Sequence, residues 1–218
     1  MKTIRIILLT LLFTLIIYPQ QKYGSELQLH LAAPVGSYAK YFNVGFGVTG
    51  GFYYHLEENL RLGLSLGYIK IGADAADIEE YYRTTVSSGD LNMTGFVGVI
   101  PLLITFKMVS PGRKYKVYGS IDGGLYTYWT KAAGDFTNNG ATSSIDKSEF
   151  RSEPGISFGI GSLLKMGETL WLDFNFKYHL VQNSEYINAD PEYEAISTSK
   201  MIIVGVGLNW NFESGTEE

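Results

Sequence analysis

The sequence predicts an all-β chain, an eight-stranded antiparallel up-and-down transmembrane β-barrel preceded by an export signal, and three observations carry that prediction. The first is the stretch LWLDFNFKYHL from Leu170 to Leu180, in which Leu170, Leu172, Phe174, Phe176, Tyr178 and Leu180 alternate without exception with Trp171, Asp173, Asn175, Lys177 and His179. Such alternation is the period-two signature of a strand with one face in an apolar medium and the other in a polar one. A strand of this length, tilted by about 45°, spans roughly 25 Å along the normal, the height of the apolar band of a membrane barrel, whereas strands of soluble domains usually run about 5 to 6 residues. The second is the gathering of glycine and small polar residues opposite the apolar face on most strands, where a narrow barrel has little room. The third is a regular alternation of short and long connections, which a soluble sandwich has no reason to show.

The amino terminus carries Lys2 and Arg5 and then an apolar run from Ile6 to Ile17, with no acid before Glu26. That is a cationic region followed by a hydrophobic one, about right for a secretory signal and short for a spanning helix. Residues 1–20 are therefore expected to form a signal peptide and 21–218 a single barrel domain, with the cut near Gln20 or Gln21. The chain has no cysteine, so it can carry neither a disulfide nor a lipid-modified cysteine. Removing the signal changes the formal charge from 17 − 22 = −5 to 15 − 22 = −7, and an acidic balance argues against nucleic acid as a partner. The 16 Tyr, 12 Phe and 25 Gly against only 6 Pro suit pleated, closely packed sheet.

Strands are expected at about 24–33, 43–55, 60–72, 94–108, 114–129, 152–165, 169–182 and 198–212. The first three present Leu27, Leu29 and Leu31, then Val44, Phe46, Val48, Phe52 and Tyr54, then Leu60 to Tyr68 at alternate positions. Ile156, Phe158 and Ile160 mark the sixth, and Ile202 to Phe212 the eighth. The fourth is less regular: Val99 and Leu103 break its polar face, and Pro101, which lacks a ladder donor, is read as a bulge. Connections near Leu56–Asn59, Val109–Arg113 and Met166–Glu168 are short; those near 34–42, 73–93, 130–151 and 183–197 are long. Tyr54, Tyr68, Tyr115, Tyr178, Trp210 and Phe212 lie near strand ends on the apolar face, as interface girdles do.

The stretches VGFGVTGGFYYHL, LRLGLSLGYIKIG and the closing IIVGVGLNWNF resemble the OmpA-like and OmpX-like outer-membrane barrel domains of Gram-negative bacteria, over about 23–212. The resemblance implies location in the cell outer membrane after export through the periplasm, contact with membrane lipid and lipopolysaccharide, and recognition of the last strand, ending near Phe212, by the barrel-assembly machinery. It also implies a structural or surface-interaction role.

Inward parity marks Arg61, Lys116, Asp122, Asp173, Lys177 and His179 as a lumen polar network, structural or pore-lining, with Lys107 and Lys165 of the same parity. Fixed charges in a narrow lumen need partners, because unpaired burial is costly. A narrow channel for small solutes is the alternative within the membrane; a soluble lipocalin-like binder would need the opposite facing. Catalysis has thin support. His30, His55 and His179 share inward parity, but a hydrogen-bonded lumen histidine is the simpler reading than a metal or base site. His179, Ser184 and Glu185 form the one local cluster a lipid A deacylase could use, without that family's His-x-Ser-Asn arrangement. No cofactor is expected, and no Ca²⁺ loop with the required spacing occurs. The second and fourth long loops, with Asp74, Asp77, Glu79, Glu80, Tyr81 and Tyr82, and with Glu185, Tyr186, Asp190, Glu192, Tyr193 and Glu194, are acidic and aromatic, and the extracellular ligand is not specified by any of them.

Overall fold

A computed structural model describes residues 23–36, 39, 42–72, 90–138, 141–182 and 198–212. Eight antiparallel strands follow one another around a closed barrel: β1 Tyr23–Val35, β2 Gly45–Glu57, β3 Leu60–Gly72, β4 Asp90–Val109, β5 Tyr115–Asn138, β6 Ala141–Lys165, β7 Leu170–Gln182 and β8 Thr198–Phe212. Closure is made by β1 against β8, in register from Tyr23↔Phe212 to Val35↔Lys200. No strand of the barrel wall is left as an edge, so the backbone groups of the wall pair strand to strand almost throughout, the condition for crossing lipid.

The facing follows the alternation. Leu29, Phe46, Leu64, Ile104, Ile160, Phe174, Phe176 and Val204 stand on the outside with 42 to 66% of their surface exposed, while Asp122, Asp173 and Asn209 on the intervening parity are fully buried. A water-soluble barrel would have this reversed, so the lipocalin-like alternative fails on the orientation of β7 alone. Tyr23 stacks on Phe52 at 5.5 Å and lies 5.7 Å from Tyr54, and the pairs Tyr23↔Phe212 and Leu170↔Trp210 complete an aromatic collar at the end where the chain enters. Three tight connections, residues 58–59, 110–114 and 166–169, share that end, which in barrels of this kind faces the periplasm. At the other end Gly36, with φ of 69°, turns the chain out of β1.

Two expectations are corrected. Pro101 makes no bulge: the β3–β4 ladder pauses opposite Gly67 and Tyr68 and resumes at Ile69↔Val99 in unchanged register, and β4–β5 runs through Pro101↔Tyr126 without a shift. The proline is buried inside the barrel, and its ring sits 3.2 Å from where a Cβ on Gly67 would stand, so the absent side chain of that glycine makes the room a bulge would otherwise supply. The irregularity instead falls between His55 and Glu57, beside a tight turn. The segment 130–151 is no long loop: β5 and β6 continue in register to Asn138↔Ala141, leaving only residues 139 and 140 between them. With β4 beginning at Asp90, three strands of 20, 24 and 25 residues rise past the rim as a blade. The expected signal peptide, residues 73–89, residues 183–197 with Ser184 and Glu185, and residues 213–218 lie outside the described residues.

Candidate functional site

The lumen is built in three layers. Nearest the periplasmic end, Val109, Tyr118, Leu163 and Trp171 form a small apolar cluster. Toward the outer end lies a larger one of Ala32, Ile69, Ile71, Val97, Val99, Leu103, Tyr126, Tyr128, Val181, Met201 and Ile203. Between them a polar belt carries three buried carboxylates, Glu26, Asp122 and Asp173, and three buried cations, Arg61, Lys107 and Lys177, while a fourth buried acid, Glu153, lies opposite Tyr126 at the level of the outer cluster.

The belt has two ionic centres. Lys107, from β4, places Nζ 3.0 Å from Glu26 Oε2 on β1 and 4.0 Å from Asp173 Oδ2 on β7. Gln28 donates from Nε2 to both carboxylates, at 3.1 and 3.3 Å, and the Tyr118 hydroxyl donates to Asp173 Oδ1 at 2.8 Å. The same ammonium lies 4.6 Å from the Tyr53 ring centroid and 4.4 Å from that of Tyr118, so its unpaired side faces aromatic rings. In the second centre Lys177 Nζ stands 3.0 Å from Asp122 Oδ2, which also accepts from Ser157 Oγ. Arg61 reaches Asn209 Oδ1 at 3.4 Å, and the Tyr126 hydroxyl lies 2.7 Å from His179 Nδ1.

Five of the six side chains expected from parity, Arg61, Asp122, Asp173, Lys177 and His179, are therefore in the belt. Lys116 is not. It sits half-buried at the periplasmic mouth, 4.7 Å above the Trp171 ring, with Lys165 6.0 Å from the same ring and exposed. Its strand begins at Tyr115, below the level of the belt, and its ammonium lies over the Trp171 ring. Glu26 was missed although it shares the parity of Gln28 and His30, and Tyr118 and Asn209 were missed because parity locates a side chain without naming its partner.

Tyrosines fill space beside glycines. The Tyr118 ring lies across Gly161, its cross-strand partner, and Tyr53 covers Gly63 in the same way; a Cβ on either glycine would collide with the ring. Gly161→Val is thus expected to push Tyr118 off Asp173 and cost about 1 to 3 kcal/mol as an overpacked site. Urea titration of the variant in vesicles checks this, and an unchanged midpoint would contradict the packing. A cavity of about 20 Å³ is lined by Gln28, His30, Asn175, Lys177 and His179 below and by Ile69, Pro101, Leu103 and Ile203 above. That is room for about one water molecule and no more. Among the described residues no three of His, Cys, Asp or Glu are grouped to hold a metal ion.

A second cluster lies outside, at the outer end of the apolar band. Trp129 stacks on Phe150 with centroids 5.7 Å apart and planes within 6°, and Phe96 meets Trp129 edge-on at 5.6 Å. Lys70 Nζ lies 4.8 Å from the Phe96 centroid, and Trp129 Nε1 donates to Ser148 Oγ at 2.9 Å.

A closed barrel with an apolar exterior and a charged belt buried in its lumen is the fold of the small eight-stranded outer-membrane barrels. No protein-family model matches the chain, and no curated protein sequence does. Among solved structures it is similar to Ail, the attachment invasion locus protein of Yersinia pestis, in a complex with the heparin analogue sucrose octasulfate: TM-score 0.52 and 11% identity, covering 88% of this chain and 99% of that one. The outer membrane protein OprG of Pseudomonas aeruginosa aligns with TM-score 0.49 and 10% identity, covering 89% and 97%, and Neisserial surface protein A with 0.46 and 11%, covering 87% and 97%. At such identities the likeness is one of fold.

Proposed function

We propose that the protein is a non-catalytic outer-membrane barrel whose transmembrane part is a closed structural support and whose exposed blade and outer rim make surface contacts. The observation that carries this is the filled lumen: an apolar cluster at each end of a belt whose three carboxylates face three cations. A conducting pore needs a continuous wetted path, and the outer cluster of Ile, Val, Leu, Met and Tyr side chains offers none. Membrane lipid and lipopolysaccharide surround the wall in this reading, and the assembly machinery reads the last strand where it ends at Phe212. The complex of Ail with a sulfated saccharide supports surface interaction as a use of this fold.

Planar-bilayer recording on the purified protein is the test. Expected is a silent membrane with, at most, brief irregular openings. Steady ohmic steps would replace the closed-support reading by a narrow solute channel.

A further inference from the structure

We propose that the outer-rim cluster of Lys70, Phe96, Trp129, Lys131 and Phe150 is a docking site for the phosphorylated saccharide headgroup of an outer-leaflet glycolipid. The inference rests on the outer-membrane reading above and adds to it a place and a ligand chemistry.

The register assembles the site. Lys70 pairs with Gly98, Gly98 with Trp129, and Trp129 with Phe150, which puts all four in one row across β3 to β6. In the next row outward, Gly72, Phe96, Lys131 and Ser148 pair in the same order. Both rows have the outward parity of the lipid face. Gly98 has no side chain to fill its place in the row; the Tyr68 ring lies 3.2 Å from where a Cβ would stand. Lys70 and Lys131 are exposed and stand two strands apart, about 10 Å, on either side of the Phe96 ring. Phe150 leaves 68% of its surface open although its neighbour Trp129 is held on its other side by stacking.

Three features select the occupant. Two cations across an aromatic platform fit a ligand that carries anionic charge together with a sugar ring, whose C–H face lies on aromatic surface while Ser148, Ser152 and Thr127 supply hydroxyls beside it. A plain phospholipid headgroup supplies the charge without the ring. Below the row of Tyr68, Ile100, Thr127 and Ser152 the wall is lipid-facing, with Leu102 45% and Leu125 51% exposed in one row and Ile104 61% and Ile156 45% in the next, so acyl chains attached to the headgroup continue down the same face. That continuity favours a membrane glycolipid over a free polysaccharide. Among the described side chains the exposed acid of this face is Asp135, which pairs with Ser144 two rows beyond Lys131; Asp146 pairs with Ala133 in the row between.

The test uses the purified full barrel exchanged into detergent containing bisphosphorylated lipid A, with lipid A retained per barrel read by native mass spectrometry. Each basic side chain at an anionic surface contributes enough that the Lys70→Gln, Lys131→Gln pair is expected to lower retention roughly thirtyfold. Lys200→Gln, exposed on β8 at the far side of the barrel, is expected to leave it unchanged. The acyl-free phosphorylated disaccharide is expected not to compete at equal concentration. Equal retention by the double variant, or an equal loss in Lys200→Gln, overturns the site; full competition by the acyl-free sugar overturns the choice of a lipid-borne ligand. A wild-type barrel that shows a heat-dependent gel shift and inserts into vesicles yet retains no lipid A refutes this inference alone. Failure to insert refutes the function it rests on.

Discussion

Replacing Lys107 by methionine is expected to destabilise the barrel by about 3 to 5 kcal/mol, the usual consequence of stripping one partner from a buried ionic centre. The Lys107 side chain is 1% exposed and its ammonium is shared between Glu26 and Asp173, so its loss leaves two buried carboxylates facing each other with no cation between them. Neither carboxylate has another cation within ion-pair distance among the described contacts, and Gln28, which bridges them, brings no charge. Urea unfolding in vesicles measures the cost. Two controls make the result specific: Lys116→Met, at the wet periplasmic mouth, should cost less than about 1 kcal/mol, and adding Glu26→Gln with Asp173→Asn to Lys107→Met should recover much of the loss. Should Lys107→Met and Lys116→Met prove equally mild, the buried centre is not what the geometry says.

The next largest effect is expected on the opposite face. Phe174→Arg puts a guanidinium near mid-height of the lipid-facing surface, between Ser162 on β6 and Val206 on β8, at an expected cost of about 2 to 4 kcal/mol. Its immediate neighbour Asn175 points into the lumen, where a serine would lose little packing and stay among polar groups. Both variants unfolded from the same vesicles give the comparison, and equal costs at 174 and 175 would overturn the facing of β7.

Why the wall was readable and its extensions were not has a physical cause. Between lipid and lumen each residue must satisfy one of two opposed media, so residues 170–180 and 60–72 declare their strands and faces directly. Beyond the membrane both faces of a strand meet water, and KAAGDFTN on β5 and ATSSIDKSEFR on β6 carry no alternation to betray them. Composition there reads as loop, although the hairpin continues in register. The lumen was half legible for a related reason. Parity found Asp122, Asp173, Lys177 and His179, but the expectation of a polar interior turned Val99 and Leu103 into blemishes on β4. They join Ile69, Ile71, Met201 and Ile203, all of the same inward parity, in the apolar cluster that closes the outer half. A lumen sealed from water follows the packing rules of any protein interior, and those residues had signalled as much. Lys116 shows the converse limit: parity says which way a side chain starts, and height along the strand decides where a long one ends.

The sequence separations within the belt bear on how the chain reaches its final form. Lys107 lies 81 residues from Glu26, Lys177 55 from Asp122, Gln28 145 from Asp173, and Arg61 148 from Asn209. No single hairpin contains its own compensation, so a sheet curled but still open between first and last strands would present lone charges to hydrocarbon. Insertion and circularisation are therefore expected to be coupled, and the long-range character of these contacts to make folding slow; an open, fully inserted sheet that accumulates during refolding into vesicles would contradict this.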